Sequence, residues 1–269
     1  MKKIFFLKFF LLFLISHNQL FCKDFIILQS TTSARDSGLY DFILPNFFKK
    51  TRIDVRVVAV GTGQAIKNAE RCDADVLIAH HKESEEKFLE EGYGVWRKEF
   101  MYNDFVLIGP DFDPGKVRGS HSIISALKSI SNNKFNFISR GDDSGTHKKE
   151  VLLWSSSGIK PNPRKDKWYL SVGQSMGGAI NIAVNKEAYI LSDRSTWLSF
   201  KNKKNHVILV ENEPLLYNYY GVIPVSPKKC PDVKFEKANI FIDWLISQET
   251  MQLISSYKLE NQQLFFPVK

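Results

Sequence analysis

Short apolar runs alternate with amphipathic ones along nearly the whole chain. Runs of strand length fall at 25–30, 54–60, 76–80, 103–109, 135–139, 189–192, 206–210 and 219–225. Between them, apolar residues recur at helical spacing near 36–50, 63–72, 82–91, 121–131, 144–156, 175–187, 194–201 and 235–256. Such alternation predicts an α/β protein with largely parallel sheets. The third helix, KESEEKFLEE, is charged enough to be expected on the surface. The last carries Ile240, Phe241, Trp244 and Leu245, then Met251 and Ile254 a turn later, an apolar face suited to dock on a sheet. No internal repeat or low-complexity segment interrupts the pattern.

Two stretches read as crossings between lobes. MYNDFVLIGP (101–110) and YNYYGVIPVSP (217–227) are extended, aromatic-rich and end in proline. If the chain leaves one lobe at the first and returns at the second, lobe I is 23–104 plus 218–269, and lobe II is 105–217. Phe100, Tyr102 and Phe105 then serve as packing at the crossing. Ligands of open α/β sheets sit beyond the carboxyl ends of strands, so a cleft between the lobes is the expected site.

The first residues fit an export signal. Lys2 and Lys3 precede an apolar stretch, Ile4 to Ile15, broken only by Lys8 and followed by the polar Ser16-His17-Asn18-Gln19. That stretch is shorter than the roughly 20 residues a membrane-spanning helix needs. The expected cut is near Cys22, which makes residues 1–22 a signal peptide and the product a soluble periplasmic or exported protein. A lipid anchor on Cys22 is the lesser reading, because bulky Phe21 precedes it.

Cleavage there removes three of 37 basic residues and none of 29 acids, leaving a formal charge of +5. The excess is scattered, as in Lys148-Lys149 and Lys228-Lys229, without an aromatic-interleaved basic stripe, so no nucleic-acid partner is expected. A mild positive balance does steer an anion inward. Cys72 and Cys230 remain; export permits a disulfide between them without requiring one. Neither has Cys-x-x-Cys spacing, so no metal or redox centre is expected.

Three loops rich in glycine and hydroxyls carry the candidate chemistry. Ser30-Thr31-Thr32-Ser33, Gly61-Thr62-Gly63, and Ser139 to Thr146 each follow an apolar run and open a helical one. Free N–H groups and partial positive charge at helix starts favour a compact anion. A single such loop only caps its helix; three, one of them bearing Arg140, point to a shared site.

The strings STTSARDSGLYDFILPNFFKKT, VVAVGTGQAIKNAERCDADVLIAH, EEKFLEEGYGVWRKEFMYNDFVLIGP and SRGDDSGTHKKEVLLW resemble the tungstate-binding TupA family, exported solute-binding proteins of ABC transporters. The similarity continues through WYLSVGQSMGGAINIA, AYILSDRSTWL and LLYNYYGVIPV. It implies a two-lobed, type II periplasmic-binding-protein fold that closes on one tetrahedral dianion, tungstate or the nearly identical molybdate. It also implies a membrane permease as partner and a monomer that is not an enzyme and needs no cofactor. Ser30 departs from the family's usual opening threonine, which keeps the hydroxyl but removes a methyl near the site. By motif, the contacts are Thr31, Thr32, Gly61, Thr62, Gly63, Arg140, Ser144 and Thr146. A fully deprotonated oxyanion offers only acceptors, so donors are what it needs. Hydroxyls and amides supply neutral ones, and Arg140 a charged, rigid fork. Charge-assisted hydrogen bonds of about 1.5–3 kcal/mol each make nanomolar binding, about −12 kcal/mol, attainable.

Several residues have competing readings. Asp142 and Asp143 suit a helix cap or a partner for Arg140 better than a ligand contact. The Gly173–Gly177 loop either gives a donor or is only a turn and cap. His80 and His81, adjacent on a strand, point to opposite faces and read as structural. Asp193-Arg194 reads as a local pair at a helix start. His147 reads as solvent-facing, and Gly141-Asp142-Asp143-Ser144-Gly145 is not a hydrolase nucleophile elbow. The alternative ligand is phosphate, whose remaining proton calls for a carboxylate acceptor such as Asp142 or Asp143, and an enzyme on the same fold is the lesser alternative.

Overall fold

The computed structural model describes residues 24–268; the signal-peptide reading and Cys22 lie outside them. The chain begins β1 (Phe25–Thr31), α1 (Thr32–Asp36), α2 (Leu39–Thr51), β2 (Asp54–Val60), α3 (Thr62–Glu70), β3 (Val76–Ala79) and α4 (Lys82–Glu90). A long strand β4 (Lys98–Pro110) follows, then α5 (Ile123–Asn132), β5 (Phe137–Ser139), α6 (Gly145–Ser156), β6 (Tyr169–Ser171) and α7 (Met176–Asn185). After these come β7 (Tyr189–Asp193), α8 (Arg194–Ser199), β8 (His206–Val210) and β9 (Tyr217–Pro224). The chain closes with α9 (Phe235–Leu245), α10 (Gln248–Ser256) and three short strands, β10 (Lys258–Leu259), β11 (Gln262–Gln263) and β12 (Phe266–Pro267).

Two parallel triplets, β2-β1-β3 and β7-β5-β6, are joined through antiparallel β9 and β4. The expected largely parallel sheet is therefore mixed: β3–β9, β4–β9, β4–β7, β4–β8 and β4–β12 are all antiparallel. Antiparallel pairing follows from the crossings, because each carries the chain back against the direction of the triplets. The partners of β4 change within the strand: Lys98–Asp104 pairs with β9, whereas Phe105–Pro110 pairs with β7 and β8. Each triplet is buried on both faces. Ile26, Leu28, Phe47 and Phe241 pack on one side of the first, with Ala65, Leu77 and Phe88 on the other. Around the second, Phe137, Trp154 and Tyr189 stand opposite Ile138, Ile180 and Trp197. The fold is two-lobed α/β, with a separate core in each lobe.

Local chemistry explains where the expected elements split. The helix expected at 235–256 breaks at Ile246-Ser247, where the Ser247 hydroxyl accepts the Thr250 N–H at 3.3 Å and starts α10 afresh. Phe241, Trp244, Leu245 and Ile254 are buried as expected, but Ile240 is exposed. Similarly, 36–50 divides into α1 and α2 at Ser37-Gly38. Gly38 sits at φ +82, and a Cβ there would meet the Tyr257 hydroxyl at 2.7 Å; that hydroxyl donates to the Ser37 carbonyl. Charged α4 is mainly exposed, except that Glu85 is buried against Arg97 at 2.6 Å. Strand β6 and the three C-terminal strands were not expected; at two or three residues each they leave too little period to read. Cys72 and Cys230, 158 residues apart, form a disulfide that pins the end of α3 to the segment after β9. By the chain-entropy account, such a link contributes a few kcal/mol.

Gly38→Ala should lower the unfolding free energy measured in urea by about 1–3 kcal/mol through strain and collision. Gly158→Ala is the control, with φ +77 but open space around its Cβ, and should cost less. Equal losses would mean that Tyr257 yields freely.

Candidate anion-binding cleft

The parallel strands within each triplet end at the same edge, and the two edges face one cavity of about 860 Å³. All eight expected contacts line it: Thr31, Thr32, Gly61, Thr62, Gly63, Arg140, Ser144 and Thr146. Thr31 caps α1 and Gly61 caps α3, neither through a side-chain hydrogen bond, so the first N–H groups of both helices stay open to a ligand. On the other lobe, Ser144 caps α6 by accepting the His147 N–H at 3.3 Å. The third loop approaches the first lobe closely, since a Cβ on Gly145 would stand 2.8 Å from His80 Cε1.

Arg140 is held by Asp142, its Nη2 donating to Oδ2 at 2.5 Å. Its Nε is buried without a partner among the described residues, on a side chain only 16% exposed. Asp142 spends its other oxygen on the Ser144 N–H at 3.2 Å. Burial pushes its carboxyl up, but the Ser144 hydrogen bonds and the Arg140 charge outweigh that and hold it below the usual range. Asp142 is thus both cap and orienter. Asp143 stands apart, 86% exposed and 3.7 Å from Lys148.

The cleft contains more than the sequence offered. Ser175, Met176 and Gly177 line it from the start of α7, where Ser175 also makes no side-chain cap bond. The outer part of the Gly173–Gly177 loop therefore belongs to the site as well as to its helix. Ser195, Thr196 and Ser199 come from α8, and Lys67 and Lys148 add exposed positive charge. Asp193, Ser195 and Thr196 follow the same strand-then-hydroxyl signal as the first loops, and that signal could have found them. Their acid is fully engaged: Asp193 accepts Ser195 Oγ at 2.7 Å and Thr196 N and Oγ1 at 2.8 Å.

Four readings are corrected here. Arg194 does not pair with Asp193; it forks onto Asp104 of β4 at 2.8 and 2.5 Å and reaches Glu211 at 2.7 Å. His147 does not simply face solvent, because its Nδ1 accepts the Asp143 N–H at 3.1 Å. Ser30 does not bear on the cavity; it is fully buried, with its hydroxyl 2.6 Å from that of Tyr40. His80 does line the cleft, 3.4 Å from Ser33 Oγ and with its ring tilted against Tyr220 at 5.0 Å, and His81 borders it too while capping α4. Desolvation pushes the His80 imidazole down to about 4, so it is a neutral ring that brings no charge of its own. Among the described residues, no group of three or more His, Cys, Asp or Glu is placed to hold a metal.

A cleft between two lobes, furnished with helix starts, hydroxyls and one oriented arginine, is the architecture of a solute-binding protein for a small anion. A PBP superfamily domain matches residues 22–249. The chain is 48% identical over 240 residues to the tungstate-binding protein TupA of Peptoclostridium acidaminophilum, covering 88% of this chain and 83% of that one. With TupA of Campylobacter jejuni the identity is 40% over 237 residues, 87% of each chain. The solved tungstate-binding protein TupA of Desulfovibrio alaskensis superposes with a TM-score of 0.86 at 41% identity, covering 91% of this chain and 99% of that one. The chain belongs to the TupA family.

Because the folded His80 pKa lies below the value of about 6.5 for an exposed imidazole, the unfolded chain takes up the proton first on acidification. Stability should therefore fall as pH drops from about 6.5 towards 4, and His80→Gln should flatten that part of the urea-midpoint profile. An unchanged slope in the variant would show that His80 is charged in the fold.

Proposed function

We propose that this chain is an exported solute-binding protein that captures a tetrahedral oxyanion, tungstate or molybdate, and delivers it to an ABC-transporter permease. The observation that carries the reading is the commitment of the acids at the cavity while its donors stay open. Both oxygens of Asp142 and of Asp193 already accept protein donors, and exposed Asp36 lies 2.7 Å from Arg35. Among the described residues, the helix starts at Thr31, Gly61 and Ser175 have no side-chain cap hydrogen bond and the buried Nε of Arg140 has no partner. An anion without protons meets only donors there. A protonated phosphate would need a carboxylate acceptor, and both oxygens of Asp142 and of Asp193 already take protein donors, which weakens them for that role. Names of relatives that specify tungstate support the same choice.

On this reading, lobe I is 23–104 with 218–269 and lobe II is 105–217, in keeping with the change of β4 partners at Asp104–Phe105. The lobes close on the ligand and exclude water, which strengthens each hydrogen bond. The chain acts as a monomer without cofactor and binds without catalysis. Export is supported by the Lys-Lys and apolar start and by the Cys72–Cys230 disulfide.

Calorimetric titration with tungstate, molybdate, sulfate and phosphate should give tight one-to-one binding of the first two and weak binding of the others. Arg140→Ala should weaken tungstate by about 2–5 kcal/mol, the loss typical of a desolvated charged hydrogen-bond partner, with Arg140→Lys between. Thr146→Ala should cost about 1 kcal/mol. Tight phosphate binding lost in Asp142→Asn would favour the phosphate reading, and unchanged tungstate affinity in Arg140→Ala would place the site elsewhere.

A further inference from the structure

Helix α6 opens the Arg140 loop and also carries a carboxylate that the binding reading leaves unused. Glu150 is 3% exposed and accepts the hydroxyl of Tyr169, from β6, at 2.6 Å. The main-chain N–H of Arg140 lies near enough to favour its charged form. The Ser139 hydroxyl and Trp154 indole N–H, both buried, act on it from just beyond hydrogen-bond distance. One buried acid thus ties the end of β5, strand β6 and α6 together at the root of the loop that presents Arg140, Ser144 and Thr146.

Resting on the reading that the cleft takes tungstate, we propose that Glu150 is a positioning residue for Arg140 and takes up a proton from solvent when the dianion binds. Geometry gives the first part: the Tyr169 hydrogen bond ties α6 to β6, β6 pairs with the end of β5 at Ser139, and from there the Arg140 guanidinium turns to Asp142. Electrostatics gives the second, because an ionised Glu150 and a dianion are like charges separated by protein, not water.

Burial pushes the Glu150 carboxyl up to about 7, against the Tyr169 hydrogen bond and the nearby Ser139, Trp154 and Arg140 N–H donors that lower it. The empty protein then holds a mixture of charged and neutral Glu150 near neutral pH, and an arriving dianion favours the neutral form. Binding is therefore full below the ligand-free value and weakens as pH rises through about 7. Other charges on neighbouring elements are engaged elsewhere or exposed. Lys149 donates to the Tyr217 carbonyl at 3.1 Å, Asp193 takes donors from α8 at both oxygens, and Lys128 of α5 is exposed. The His147 ring accepts the Asp143 N–H at 3.1 Å.

The test is tungstate calorimetry from about pH 6 to about pH 8.5, spanning the range of a perturbed carboxyl, in buffers of different ionisation heat. The unaltered protein should lose about three- to tenfold in affinity across the range, the change that half to one pKa unit of coupling gives, with net proton uptake. Glu150→Gln keeps an acceptor for the Tyr169 hydroxyl and should remove both the slope and the uptake. Tyr169→Phe should keep the slope but move its midpoint to higher pH, since the lost hydrogen bond had lowered the carboxyl. If Glu150→Gln fails to fold, that midpoint decides. A Glu150→Gln protein with the unaltered slope and uptake, or an unmoved midpoint in Tyr169→Phe, overturns the inference and leaves the tungstate reading intact. No tungstate binding by the unaltered protein at any pH overturns both.

Discussion

An anion with no proton to give can be held only by donors, and every free acceptor near it costs affinity. This requirement organises the cleft. Its donors are the N–H groups that helices α1, α3 and α7 leave open at their starts, together with the hydroxyls beside them. Its carboxylates are not absent but occupied: Asp142 by Arg140 and Ser144, Asp193 by Ser195 and Thr196. Asp142 also fixes one edge of the Arg140 fork while Nε remains unpaired. A guanidinium preset in this way loses less conformational freedom when it meets an oxyanion.

Bringing two sets of helix starts face to face is the work of the crossing strands. Strand β4 belongs to both halves of the sheet, pairing with β9 up to Asp104 and with β7 and β8 from Phe105 on. At that switch, Arg194 forks onto Asp104 and also reaches Glu211. The pair is buried, so its net contribution to stability is modest, but removing one partner would strand a charge and cost several kcal/mol. Its consequence is positional, because it fixes the start of α8, and with it Ser195 and Thr196, to the strand that links the lobes.

Much of this was legible in the sequence because strands ending in hydroxyl-rich loops have a local signature. Thr31, Gly61, Thr62, Arg140 and Thr146 could be assigned to one site before any coordinates, and all line one cavity. What escaped depends on tertiary context. His80 and His81 looked structural because adjacent strand residues diverge, yet both border the cleft at the turn after β3. Arg194 looked local because sequence distance hides Asp104, which lies 90 residues away. Glu150 reads as an ordinary helix acid until Tyr169 and the Arg140 amide close around it. The mixed sheet was missed because helical alternation predicts parallel triplets but says nothing about strands that return through both lobes.

The central claim is that the ligand lies between the lobes, held by loops from both. Crystals grown with tungstate and measured at the tungsten absorption edge locate the metal atom without reference to the surrounding density. The account predicts one strong anomalous peak with its oxygens in hydrogen-bonding reach of Thr31, Thr62, Arg140 and Thr146. A peak away from Arg140, or one contacted by the loops of a single lobe, would contradict it.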